Sequence, residues 1–109
     1  MISITFASRV KYNPDSNIER LLQTALDTTT KEEQKQIEFL VKYDRDDDLA
    51  PRDKSFSSFP FQYKTAVYDR GEGRNFIHHF IEYMFTLHDP KSRFILVLAD
   101  DYFFTRPGW

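Results

Sequence analysis

A chain of 109 residues is long enough for one domain with one core, so residues 1–109 read as a single unit. With 17 acidic and 15 basic residues interleaved, the net charge of −2 excludes the basic stripe of a nucleic-acid binder. The lack of cysteine excludes a disulfide framework, a thiolate nucleophile and a cysteine zinc site, while 11 Phe and 6 Tyr point to a packed body with rings to spare for a partner.

Ile2, Ile4 and Phe6 alternate with Ser3, Thr5 and Ala7, which predicts an opening strand that reaches a polar loop at Ser8, Arg9, Val10 and Lys11. This start lacks the charged head and continuous apolar centre of a signal peptide, and no run approaches the ~20 apolar residues of a membrane span, so a soluble cytoplasmic protein is expected. Pro14-Asp15-Ser16 then opens a helix, with Ser16 and Glu19 at capping-box spacing and Ile18, Leu21, Leu22, Ala25 and Leu26 on one apolar face. Thr28-Thr29-Thr30 and Lys31-Glu32-Glu33 break that pattern. A second strand rises at Ile37 to Val41 and ends in the acidic stretch Tyr43-Asp-Arg-Asp-Asp-Asp48.

Residues 49–61, with Pro51, Pro60 and the rings of Phe56, Phe59 and Phe61, read as an aromatic-rich loop. A short third strand is expected at Tyr63 to Tyr68, then a turn at Gly71-Glu-Gly73. A second helix follows from about Arg74 to Leu87, carrying Ile77, Phe80, Ile81, Met84 and Phe85 on its apolar face and stopped by Asp89-Pro90. The fourth strand, Phe94-Ile-Leu-Val-Leu98, delivers two adjacent carboxylates, Asp100 and Asp101, and the chain closes on Tyr-Phe-Phe-Thr-Arg-Pro-Gly-Trp109.

Strand-helix-strand repeated twice implies an α/β fold, a three-layer sandwich around a small, mainly parallel sheet. In a doubly wound arrangement the first strand is central, and the fourth lies beside it on the side away from the second. The carboxyl ends of these three strands would then face one crevice, collecting Ser8 and Arg9, Asp44 and Asp46, and Asp100 and Asp101. Paired acids at a strand end suit a hard divalent cation such as Mg²⁺ or Mn²⁺, which takes oxygen ligands and leaves positions for phosphates.

Other motifs carry less. The Asp44–Asp48 cluster lacks the glycine and terminal glutamate of a calcium loop, and Gly71-Glu-Gly-Arg74 precedes a helix but fits neither the Rossmann nor the P-loop fingerprint. His78 and His79 are adjacent on a helix and point about 100° apart, so they cannot share a metal as an i, i+4 pair does. A receiver-like phosphoacceptor domain also clusters acids at a sheet end, but its acid pair follows the first strand rather than the last.

Four pieces together resemble the nucleotide-sugar-binding half of a GT-A fold glycosyltransferase of the large inverting family. They are the opening strand into Ser8-Arg9, the helix Asn17-Ile-Glu-Arg-Leu-Leu22, the strand into Lys42-Tyr-Asp-Arg-Asp-Asp-Asp48, and the strand into Ala99-Asp-Asp101 with Pro107-Gly-Trp109 after it. The resemblance implies a nucleoside-diphosphate sugar, most often a uridine one, with Ser8, Arg9, Asp44 and Asp46 near the nucleobase and Arg70, Gly71 and Arg74 approaching the nucleotide. The family's Asp-x-Asp motif falls on Ala99-Asp100-Asp101, so Asp101, with Asp100, would hold Mg²⁺ or Mn²⁺, and Asp100 would also lie beside the nucleotide. Ala99 departs from that pattern and puts the ribose contact in doubt. The acceptor-binding half and the catalytic base follow the metal motif in the family, so the resemblance implies half an enzyme, inactive alone. An uncovered aromatic end is then expected to self-associate. A non-catalytic nucleotide-sensing or interaction module is the alternative.

Overall fold

The computed structural model describes residues 1–11, 13–48, 56–68 and 84–109. Four strands form one sheet: β1 (Ile2–Ser8), β2 (Ile37–Asp44), β3 (Gln62–Tyr68) and β4 (Phe94–Val97). Their order is β3-β2-β1-β4 and every pairing is parallel, with Ile2 beside both Ile37 and Phe94. The chain therefore builds outward from β1 on one side and returns to β1's other side for β4, as the doubly wound expectation required. Among the described residues no helix is long and apolar enough to cross a membrane.

The two inner strands are buried on both faces. Ile4 and Phe6 enter the main core with Phe39, Val41 and Tyr43, yet Ser3 and Thr5 on the other face are also fully buried. Their hydroxyls are satisfied inside the sheet, Thr5 Oγ1 donating to the Leu40 carbonyl at 3.0 Å and Ser3 Oγ donating to Glu38 Oε1 at 2.5 Å. β2 is buried at all eight positions and runs three residues past the expected Val41. It can do so because Lys42 and Asp44, two apart and so on one face, pair with each other.

Helix α1 (Ile18–Asp27) lays Ile18, Leu21, Leu22 and Ala25 onto the core. Its cap differs from the expected Ser16–Glu19 box. Asn17 is the N-cap, its side chain accepting from the Arg20 amide at 3.0 Å, while its own N–H donates to the Asp100 carbonyl. Ser16 Oγ is buried without a hydrogen-bond partner. Asn17→Ala should therefore cost about 1 kcal/mol in thermal unfolding, the usual worth of an N-cap, and Ser16→Ala should cost nothing or stabilise slightly. The stretch that seemed only to break the pattern forms a second, one-turn helix, α2 (Lys31–Gln34), with a true capping box between Thr30 and Glu33.

Of the aromatic loop, the described part, residues 56–61, places Phe56 and Phe61 in the core. Phe39 packs edge-on against Phe6 and Phe61, at 6.3 and 5.0 Å between ring centres, and Phe56 stacks on Tyr63 at 4.6 Å. Most of the second predicted helix lies outside the described residues. Its last turn places buried Met84, with Leu87, against Leu40, Ala7 and Ala66 on the sheet face opposite α1. The chain end folds back along α1: the Phe104 amide donates to Thr24 Oγ1, Trp109 Nε1 donates to Thr28 Oγ1 at 2.6 Å, and the two rings stack. Gly108, at φ 85, makes the turn that brings Trp109 onto Phe104. Tyr102 and Phe103 stay half exposed, with the Arg20 guanidinium over the Phe103 ring.

Candidate functional site

The loop after β1 is the hub of the sheet's carboxyl end. From the β4 side Asp100, 2% exposed, accepts from the Arg9 amide at 2.8 Å and from Asn13 Nδ2 at 3.0 Å. From the β2 side the Lys11 amide donates to buried Asp47 at 3.2 Å, and Lys11 Nζ donates to the Asp46 carbonyl. The Arg9 guanidinium lies 3.6 Å from Asp44 Oδ2, completing an ion cluster with Lys42 in which Asp44 is wholly buried. The three strand ends anticipated from the sequence, those of β1, β2 and β4, therefore meet. Their meeting lies at the switch point where the chain, having built outward from β1, returns to pair β4 with it.

The individual residues divide by role. Ser8 and Asp44 are fully buried, and Ser8 Oγ and Asp44 Oδ2 have no hydrogen-bond partner. Ser8 pairs in register with Tyr43, so by alternation it shares the α1 side of the sheet with Phe6, whereas Asp44 faces the other side with Lys42. Asp46 contributes a main-chain carbonyl to the cluster, and its side chain is exposed. Arg70, Gly71 and Arg74 lie outside the described residues, as do His78 and His79.

The two terminal acids, expected to act together, do different things. Asp100 is a bracket: each carboxylate oxygen accepts a hydrogen bond from the β1 loop, and its carbonyl accepts from the α1 cap. Asp101 is half-buried, its carbonyl accepts from Arg20 Nη2 at 3.1 Å, and its carboxylate takes no part in the cluster. Among the described residues no three His, Asp or Glu side chains stand close enough to share a metal ion.

Sequence reading passed over Asn13, Lys11, Lys42 and Asp47. Lys42 was the most accessible of these, because a Lys-x-Asp pair on a strand shares a face. Asn13 holds Asp100 across 87 positions of sequence, and no local pattern marks it. A cavity of about 240 Å³ lies at the other end of the sheet, between Ile2, Ile37, Gln36 and Trp109, well away from the acids. Compared with known proteins, the chain matches no family, no curated sequence and no solved structure.

Proposed function

We propose that this domain binds a nucleoside-diphosphate sugar, a uridine one by preference, at the carboxyl ends of β1, β2 and β4 with Mg²⁺ or Mn²⁺, as the donor half of a GT-A-like glycosyltransferase. The observation that carries the reading is Asp44 Oδ2, buried at the switch point without a hydrogen-bond donor and held by the 3.6 Å ion pair to Arg9. Buried polar atoms without partners cost roughly 1–3 kcal/mol each, and such cost is commonly retained where a ligand supplies the missing bond. Asp44 Oδ2 suits an imide N–H, which uracil presents. Arg9, 31% exposed beside it, is placed to shift toward an incoming nucleotide.

The acid-rich rim would repel a bare diphosphate, so a divalent cation, when bound, supplies the neutralisation of that leaving group. In this scheme Asp101 anchors the cation, Asp100 fixes the loop that frames the base, and Asn13 fixes Asp100. The base that activates an acceptor hydroxyl is not assigned within the chain. A second reading, a non-catalytic nucleotide-sensing or interaction module, is favoured by the commitment of both Asp100 oxygens to the loop.

Calorimetric titration of uridine diphosphate tests the nucleotide binding on which the first reading rests. Binding is expected with Mn²⁺ and at least about tenfold weaker without it. Asp101→Asn should reduce the metal-dependent affinity by about tenfold or more, the worth of a charged contact, and Asp100→Asn should reduce it less. Absence of binding at millimolar nucleotide with metal present would remove the nucleotide-sugar reading. Hydrolysis of a sugar donor by the bound chain would favour the enzyme over the module.

A further inference from the structure

The sheet ends on two unlike edges. β3 exposes Gln62, Tyr63, Lys64 and Thr65, a largely polar edge in which the lysine discourages another strand. β4 is apolar at every position, and Phe94 is 69%, Leu96 39% and Val97 43% exposed. Among the described residues its one strand neighbour is β1. The Leu98 amide donates inward to the Thr5 carbonyl at 2.9 Å. Main-chain groups alternate sides along a strand, so Leu96 also points inward, and the N–H and C=O groups of Ile95 and Val97 point to the open edge.

We infer that this edge docks a second copy of the chain, β4 pairing antiparallel with the partner's β4 about a two-fold axis at Leu96. Charge selects the orientation. Lys91 and Arg93 precede the strand and the half-buried Asp101 follows it, so an antiparallel copy brings opposite signs near each other at both ends, whereas a parallel one stacks like near like. Geometry selects the register. A two-fold axis normal to the sheet keeps each face continuous, so opposite residues share a face, and the hydrogen-bonded pairs must be those whose groups point outward. Only Ile95 opposite the partner's Val97 meets both demands across the whole strand. That register sets Leu96 against the partner's Leu96 and Phe94 against the partner's Leu98. Two four-stranded sheets become one of eight, and the exposed apolar row is covered.

Sedimentation of the intact chain without nucleotide tests the association, and two substitutions test the register. Val97→Pro deletes an outward N–H and leaves the β1 ladder whole, a change edge strands tolerate; it should weaken the dimer by about tenfold or more. Because the chain has no cysteine, a single Leu96→Cys offers one thiol per copy. On the axis two such residues stand ~4.5 Å apart between Cα atoms, within disulfide range. Oxidation should link Leu96→Cys into a covalent dimer much faster than Phe94→Cys. The Phe94 position is more exposed, but its two copies lie roughly 14 Å apart in this register. A monomer at high concentration overturns the proposal, as does a dimer of folded Val97→Pro that is as tight as the parent. Should Val97→Pro not fold, equal linking rates for the two cysteine variants overturn it instead.

Discussion

Asp100→Ala is expected to lower the stability of the chain by about 3 kcal/mol, because it strips charged acceptors from two donors, the Arg9 amide and Asn13 Nδ2, around a side chain that is 2% exposed. For a domain of this size that corresponds to a fall in melting temperature on the order of 10–20 °C. Asp100→Asn keeps the shape and one acceptor oxygen and should cost about half as much. Asp101→Asn, on a half-buried side chain outside the cluster, should leave the melting temperature nearly unchanged while weakening metal-dependent nucleotide binding. Thermal and urea unfolding of the three variants check this. Equal melting temperatures for Asp100→Ala and the parent would mean that the carboxylate does not hold the loop. The contrast between adjacent acids matters because it separates loss of the site's frame from loss of its ligand.

Glu38→Ala should cost a similar amount, about 3 kcal/mol, by removing a buried charged acceptor shared by Ser3 Oγ and the Asp89 amide. Glu38 is 1% exposed on the sheet face opposite α1. Its Oε1 accepts from Ser3 Oγ on β1 at 2.5 Å and from the Asp89 amide at 2.7 Å, and Oε2 lies 3.5 Å from Lys64 Nζ on β3. One carboxylate therefore ties β2 to both its neighbours and to the turn that leads into β4. Glu38→Gln retains the Oε1 acceptor and should lose about 1 kcal/mol, the difference between a charged and a neutral hydrogen bond. Lys64→Ala should change little, since that ion pair is half exposed and solvent screens it. Denaturant unfolding checks the ranking, and faster exchange of the Asp89 amide in Glu38→Ala would localise the loss. A Lys64→Ala cost as large as that of Glu38→Ala would reverse the account.

What the sequence by itself determined was what local physics controls. Period-two alternation placed β1, the 3.6-residue stripe of Ile18, Leu21, Leu22 and Ala25 placed α1, and apolar runs placed β2 and β4 to within a few residues. The alternation of strands and helices further implied parallel pairing through crossovers, and a doubly wound arrangement put β1 between β2 and β4. The gathering of Ser8, Arg9, Asp44 and Asp100 at one end of one sheet is therefore legible in the sequence.

The tertiary structure alone decided what each of those residues does there. Adjacent Asp100 and Asp101 look equivalent in sequence, and only the approach of Arg9 and Asn13 from the far end of the chain makes one a bracket and leaves the other outside the cluster. Ser3, Thr5, Glu38 and Lys42 are polar positions on strands, and they are buried because the sheet carries partners for them on its second face. The cap moved from Ser16 to Asn17 for the same reason: the Asp100 carbonyl holds the Asn17 amide and so sets where the helix begins. Periodicity encodes which side of an element is apolar, whereas the pairing of polar groups depends on distances between residues tens of positions apart, and that information exists only once the chain has closed on itself.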